Sequence, residues 1–271
     1  MNIYFIAVNY NGFQFTCDYI ESIRSLQSDV DDSINIIIVD NGSKEDEYSN
    51  LLSHCSDIES VQLIRLDINV GYFKGLNEGI IKVNKDKNTV LVVGNNDLTF
   101  DAEFLTKYKK ISYTDDVLII APNIVTKDGR MQNPHVIDKV SWLEIFKCKI
   151  YYSNYFIGQT FKFVNSYIKK FTSNKINLTN NYPQMKIKRG IGACYIMTSH
   201  FFDNFEKLDD KVFLWGEEVL LSTQIEGVSG AMLYDPSIKI THHESASVTK
   251  IASKKRYQIN KASYGIYKNY L

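Results

Sequence analysis

The chain has 271 residues, 44% of them hydrophobic and 23% charged, which fits one large folded domain or two small ones and excludes a disordered chain. Lys plus Arg and Asp plus Glu both number 31, so no overall basicity argues for nucleic acid as a partner. The four cysteines stand apart without a C-x-x-C pair, against a zinc site or disulfide framework and in favour of a reducing, cytoplasmic setting.

Asn2 to Val8 predicts a buried strand that ends in the turn cluster Asn9-Tyr10-Asn11-Gly12. The same stretch has no basic leader and is cut short by Asn9 and Asn11, so it does not read as a signal peptide, and no run of about 18 apolar residues predicts a membrane span. Phe15, Tyr19, Ile20, Ile23 and Leu26 recur at helical spacing. Ile34 to Val39 predicts a second strand ending at Asp40-Asn41-Gly42-Ser43, then a helix over Glu45 to His54 with Ser43 as its cap. Ser60 to Leu66 predicts a third strand, and a helix from Tyr72 to Val83 follows the loop Asp67 to Gly71. Gly75 and Gly79 share one face of that helix, where close packing on a sheet explains them better than a phosphate cradle. The fourth strand begins at Thr89 and ends in Gly94-Asn95-Asn96-Asp97.

Strand–helix units at this rhythm predict an α/β fold with a mostly parallel central sheet flanked by helices. Each strand ends in Asn, Asp or Gly on one sheet edge, the place where open α/β sheets bind ligands. Asp97 is therefore a candidate ligand for a metal or a substrate, although the same four residues also suit a plain turn capping the next helix. The dinucleotide fingerprint G-x-G-x-x-G is absent after the first strand, and no G-x-x-x-x-G-K-[ST] loop occurs.

Taken together, Val8-Asn9-Tyr10-Asn11, Val39-Asp40-Asn41-Gly42-Ser43, Asn69-Val70-Gly71-Tyr72 with Asn77-Glu78-Gly79, and Gly94-Asn95-Asn96-Asp97 resemble the family 2 glycosyltransferases of GT-A (Rossmann-like) fold. The likeness is greatest to the rhamnosyltransferase-like branch that builds bacterial surface polysaccharides. It implies a nucleotide held by Val8, Asn9, Tyr10, Asp40, Asn69, Gly71, Asn77 and Asn96, with Asp97 standing for the metal-binding carboxylate of a D-x-D motif. Asp40 would accept an N–H of a uracil- or thymine-type base.

Beyond residue 100 a helix over Asp101 to Ile111, a strand over Asp116 to Ala121 and a hairpin at Lys127-Asp128-Gly129 are predicted. A stretch at about 134–184 has no clear period. Its aromatic residues, among them Trp142, Phe146, Tyr151, Tyr152, Phe156, Phe163 and Tyr167, are interleaved with Lys147, Lys149, Lys162, Lys169 and Lys170. It reads first as a packed helical insertion and second as a surface for a membrane or an acceptor. Lys186 to Met197 returns to strand character, and Phe201 to Phe205 to a short helix. Its Gly192-Ala193-Cys194 segment resembles a family element beneath the active site. Glu217-Glu218 after Trp215-Gly216 opens an apolar-periodic segment, where acidic residues also suit a helix N-terminus. The resemblance implies instead that Glu218 is the general base, with Glu217, Trp215, Gly192 and Ala193 on the acceptor side. Gly230 to Tyr234 and Ile238 to Ile240 predict two late strands with a turn at Asp235-Pro236-Ser237. The family places a His before an x-x-x-x-S run that joins the metal site in some members. His242 with Ser247 fits that spacing best, with His243 as the fallback.

The implied organisation is a single domain over 1–247, with a nucleotide half over 1–100, an acceptor half over 101–247, and a helical tail over 248–271. The implied activity is inverting transfer from a UDP- or dTDP-sugar to a saccharide hydroxyl, the acceptor free or lipid-linked. It would use Mn²⁺ or Mg²⁺ in the cytoplasm or at the inner membrane face. The rivals are a nucleotidyltransferase and a non-catalytic nucleotide-sugar-binding protein of the same fold. The first usually carries a Gly-rich, basic loop after strand one, which Asn9 to Gly12 is not.

Overall fold

A computed structural model describes residues 1–172, 182–244 and 252–271. Ser247, the boundary drawn at 247/248 and the end of the aromatic insertion lie outside the described residues, as do the side chains of Tyr167, Lys169 and Lys170.

The first half alternates strand and helix as its apolar periodicity requires: β1 (Asn2–Asn9), α1 (Phe13–Arg24), β2 (Ser33–Asn41), α2 (Glu45–Cys55), β3 (Val61–Leu66), α3 (Tyr72–Ile80) and β4 (Thr89–Asn95). The second half is more irregular. It runs through β5 (Leu98–Phe100), α4 (Phe104–Tyr108), β6 (Val117–Thr126), α5 (Trp142–Ser153), α6 (Tyr155–Thr172), β7 (Met185–Ile187), β8 (Cys194–Met197), α7 (Ser199–Phe202), α8 (Glu217–Glu226), β9 (Ala231–His242) and α9 (Ser253–Tyr267).

The strands join one sheet in the order β3-β2-β1-β4-β8-β6-β9-β5, with β7 also on β9. β1, β2, β3 and β4 are mutually parallel, whereas β8 runs antiparallel to both β4 and β6. β1 thus has β2 on one side and β4 on the other, so their carboxyl ends enclose the crevice that such a sheet opens at its switch point.

Alternation along β1 divides the core. Ile3, Phe5 and Ala7 face α1, α2 and α4, while Ile6 faces Phe73, Leu76 and Ile80 of α3 together with Phe201 of α7 and Leu221 of α8. Gly79 lets α3 sit against β1: a Cβ there would stand 2.5 Å from Ile6 Cγ2. The packing reading of that glycine is the one the structure supports.

Several expected details differ. Ser43 does not cap α2; the residue before the helix is Lys44, which makes no side-chain cap, and Ser43 Oγ instead accepts from Asn11 N at 2.8 Å and Asn9 Nδ2 at 3.3 Å. The turn at Asp235-Pro236-Ser237 is a bulge inside one continuous β9: Pro122 pairs with Asp235 and Asn123 with Lys239. Asp235 satisfies the bulge locally by accepting Ser237 N at 2.8 Å. The helix expected over Asp101 to Ile111 is confined to α4, because Leu98 to Phe100 before it is drawn into the sheet against β9. The four cysteines are free thiols.

β4 also runs two residues beyond its apolar core, through Gly94 and Asn95. Asn95 N donates to Ala193 O at 2.9 Å, an approach that leaves no room for a side chain on Gly94, where a Cβ would stand 2.3 Å from that same oxygen. Gly94→Ala is expected to cost about 1–3 kcal/mol through forced backbone movement, lowering the melting temperature by several degrees in a thermal scan.

Candidate functional site

A cavity of about 350 Å³ opens at the carboxyl ends of β1, β2 and β4. Strand parity chooses its floor. Val8 pairs with Val39 and Asn95, so Val8, Asn95 and Asn41 (two residues beyond Val39) share one face and line the cavity, and Tyr10 joins them. The opposite parity belongs to Asn9 and Asp40, which pair with each other and are fully buried.

The expectation that Asp40 receives the base is therefore corrected: its Oδ1 accepts Asn9 Nδ2 at 2.8 Å and its Oδ2 accepts Ser43 N at 3.2 Å. Asn9, also expected at the nucleotide, is a buried tie. Its Oδ1 accepts from Gly12 N, Thr16 Oγ1 and Asn96 Nδ2, each at 3.1 Å. Asn77 is likewise out of reach, donating to Leu208 O at 2.9 Å while its Oδ1 accepts Leu208 N at 3.0 Å. These three polar residues build the crevice from behind. The structure puts Val8, Tyr10, Asn69, Gly71 and Asn96 on its wall.

Asn41 was not legible as a wall residue from motif order alone, though strand period would have found it. It ties the second loop in place: Nδ2 donates to Gly71 O at 2.9 Å and Asn69 Oδ1 at 3.2 Å, and Oδ1 accepts Val70 N at 2.9 Å. Gly71 adopts φ 102, a left-handed conformation that glycine takes without steric cost, and any Cβ there would meet Phe213 O at 2.4 Å.

Asp97 leaves the end of β4 and enters β5, whose Leu98 pairs with His242 of β9. That pairing brings Asp97 Oδ1 to 3.2 Å from His242 Nε2, although the two lie far apart in sequence. His243 points elsewhere, with Nε2 2.8 Å from Thr99 Oγ1. Of the two adjacent histidines, His242 alone reaches the cavity.

The opposite wall is the start of α8. Trp215 (φ 64) and Gly216 (φ 103) are both left-handed, which swings Glu217 and Glu218 into the cavity at the first turn of the helix. Glu218 Oε1 accepts Gly192 N at 3.2 Å, and Tyr72 Oη donates to Gly192 O at 2.7 Å. A Cβ at residue 192 would stand 3.0 Å from that carboxylate oxygen, which is the physical use of the glycine. Glu217 is 3% exposed, and its Oε1 has no hydrogen-bond partner among the described residues. Burial, reinforced by the neighbouring Glu218, pushes its carboxyl up to about 8, so it holds a proton at neutral pH. Two adjacent acids thus occupy different environments, the inner one buried and the outer one open to the cavity.

Tyr72, Ile191, Phe213 and Leu214 complete the lining with Ala193 and Trp215, and Gln132 closes it beside His242. Asp97, Glu217, Glu218 and His242 are the only acidic or imidazole side chains in its lining among the described residues; neither Lys nor Arg contributes. A diphosphate brought beside Asp97 and Glu218 would meet like charge, and a bound cation would reverse that. Asp97 Oδ1 and His242 Nε2, 3.2 Å apart, fit a divalent ion: two donors at adjacent corners of a Mg²⁺ or Mn²⁺ octahedron lie about 3 Å apart. No group of three His, Cys, Asp or Glu side chains converges among the described residues, and an ion held by these two would take its remaining ligands from phosphate and water.

The large central sheet flanked by helices, with its parallel half, is that of the GT-A architecture. The sequence profile described as Glycosyl transferase family 2 matches residues 4–172, and the chain belongs to that family. Solved structures of similar fold include GalNAc-T7 with UDP, GalNAc and Mn²⁺ (TM-score 0.60, 13% identity, 90% of this chain and 44% of that one). The mannosyltransferase PcManGT from Pyrobaculum calidifontis, in complex with GDP-Man and Mn²⁺, aligns at TM-score 0.55 and 10% identity over 90% of this chain and 57% of its own. TarS 1–349 of S. aureus with UDP-GlcNAc aligns at TM-score 0.58 and 11% identity over 96% of this chain and 64% of its own. The chain therefore spans between 44% and 64% of the lengths of these structures. No curated protein matches it by sequence.

The state of Glu217 has a measurable consequence for stability. An unfolded Glu releases its proton near 4.5 and the folded one near 8, so this group's contribution to stability falls as pH rises between those values. Glu217→Gln removes the dependence. The variant should melt higher than wild type near pH 7–8, and the gain should vanish at about pH 4, as read by scanning fluorimetry.

Proposed function

We propose that the protein is a metal-assisted, inverting glycosyltransferase that moves a sugar from a UDP- or dTDP-sugar to a hydroxyl of a saccharide acceptor. The observation that carries this reading is the pairing, across one cavity, of the Asp97–His242 donor set with the cavity-facing carboxylate of Glu218. Asn69, Gly71, Asn96, Val8 and Tyr10 hold the nucleotide, Asp97 and His242 hold Mn²⁺ or Mg²⁺, and the ion supplies Lewis-acid stabilisation to the departing diphosphate. Glu218 accepts the acceptor's hydroxyl proton as that oxygen bonds to the anomeric carbon; the sugar–diphosphate bond breaks and its electron pair leaves with the nucleotide. One base suffices for this single displacement, and no second carboxylate nucleophile is required. Glu217, being protonated, supplies an O–H rather than a second negative charge on the acceptor side with Trp215, Gly192 and Ala193.

The rhamnosyltransferase-like branch and a role in surface polysaccharide synthesis belong to the same proposal, supported by the motif order in the first hundred residues. So does a place at the inner membrane face. No helix among the described residues is long and apolar enough to cross a membrane. The insertion is nevertheless not packed as an ordinary one: α5 buries none of its residues, and Trp142 (73% exposed), Phe146, Phe156 (78%) and Phe163 face outward beside Lys147, Lys149 and Lys162. Its inner side is a tyrosine contact with α9, including Tyr152 stacked on Tyr264 at 4.5 Å. Exposed aromatics with lysines suit an anionic lipid surface, which would present a lipid-linked acceptor.

Two measurements test these readings. Glu218→Gln should lower sugar transfer by about 10²–10⁴-fold, and excess EDTA should abolish it; unchanged turnover in either case would remove the assigned role. Binding of UDP or dTDP without transfer from any donor sugar would favour the non-catalytic alternative. In vesicle co-sedimentation, wild type should bind anionic but not zwitterionic lipid, and Phe156→Glu with Trp142→Glu should release it.

A further inference from the structure

His242 does not stand alone behind Asp97. Its Nδ1 lies 2.7 Å from Gln132 Oε1, Gln132 Nε2 donates to Glu244 Oε1 at 2.9 Å, and Arg130 Nη2 donates to both oxygens of Glu244 at 2.7 Å. The four side chains form a row because of strand geometry. After the turn at Gly129, Gln132 N bonds back to Ile124 O on β6, and β6 pairs Thr126 with His242 on β9. Residues two apart on each segment, 130 and 132, then meet 242 and 244.

The polarity of this row is determined by chemistry. A carboxylate paired with arginine offers only acceptors, so the amide nitrogen of Gln132 must face Glu244. The amide oxygen must then face His242, and an oxygen can be bonded by Nδ1 only if Nδ1 carries the hydrogen. In the neutral ring that leaves Nε2 as a lone pair 3.2 Å from Asp97 Oδ1, two acceptors facing each other that a cation, or a proton, held between them reconciles. The geometry of Asn95 agrees, since its Nδ2 lies 3.3 Å from Nε2 and can donate to it.

We propose that Gln132, held by the Glu244–Arg130 pair, is a positioning residue that locks His242 in the Nδ1–H tautomer and so prepares Nε2 as a ligand for a divalent cation. This rests on the metal reading above and extends it to residues outside the donor set. Outer-shell partners of a ligating imidazole act in this way, and their loss typically weakens metal binding by about 10- to 100-fold. Arg130 and Glu244 are half exposed, so the lock is assembled at the rim of the cavity by groups that touch neither donor nor acceptor.

The test reads tautomer and affinity separately. In metal-free protein labelled with ¹⁵N-histidine, at a pH where the His242 ring is neutral, its signals should show a protonated Nδ1 and a bare Nε2. Gln132→Ala, and the milder surface change Glu244→Gln, which frees the Gln132 amide to turn, should each mix the tautomers. Titration of Mn²⁺ in the presence of UDP should give binding weakened about 10-fold or more in Gln132→Ala. The double variant Gln132→Ala/His242→Ala should bind no more weakly than His242→Ala alone, while His243→Ala should match wild type. A wild-type His242 protonated at Nε2, undiminished Mn²⁺ binding in Gln132→Ala, or strictly additive losses in the double variant would each overturn the proposal. Absence of any Mn²⁺ binding in wild type would instead remove the metal reading, and the tautomer spectra would still decide this one.

Discussion

One buried amide holds the crevice together. Asn9 ends β1 and bonds at once to the end of β2 through Asp40, to the start of α1 through Gly12 and Thr16, and to the turn after β4 through Asn96. A buried polar group is stabilising only when its bonds are made, and here both ends of the amide are satisfied. Three stretches far apart in sequence, around residues 9–16, 40–43 and 96, are thereby fixed at one point, and the face they leave outward is the floor of the cavity. Replacing any member would leave another unpaired in the interior, which makes the arrangement all-or-none.

Around this point the sheet changes character. The parallel strands β2, β1 and β4 end in amide side chains at the cavity, whereas the start of α8 brings two acidic residues from the other side. The wall opposite the amide floor is acidic. On the proposed reading, affinity for a sugar donor would be conditional on a cation, and Asp97 and His242, which would hold it, owe their positions to the short pairing of β5 with β9. Glu217, sequestered and protonated, keeps the acidic wall from carrying one more charge.

The parallel half was readable because its signals are local: apolar runs, helical spacing, and polar residues at strand ends. Asp97, Glu218 and His242 were legible through motif order, and the structure brings all three to one cavity. The misassignments share one physical origin. Asp40 and Asn9 look like ligands because they are polar and terminal, yet alternation along a strand sends every second side chain to the back, and Asn41 takes the front. Gln132 was invisible because its importance comes from a hairpin return and a pairing 110 residues away, and no local pattern records either. β5 was missed for the same reason: three residues become a strand only because β9 is there to receive them.

The loop that delivers Glu217 and Glu218 has a dependence on time as well as on space. Its two left-handed residues are not held by neighbours in sequence: the ring of Tyr267 lies where a side chain on Gly216 would be, and Ser263 Oγ donates to Leu214 O across 49 residues. During synthesis the ties that Asn9 makes are complete once the turn after β4 has emerged, but the acidic wall stays unbraced until α9 is made. A ribosome-bound chain that has just passed β9 would therefore hold the floor of the cavity while the wall that carries Glu217 and Glu218 is still loose, so that the closed cavity arrives last.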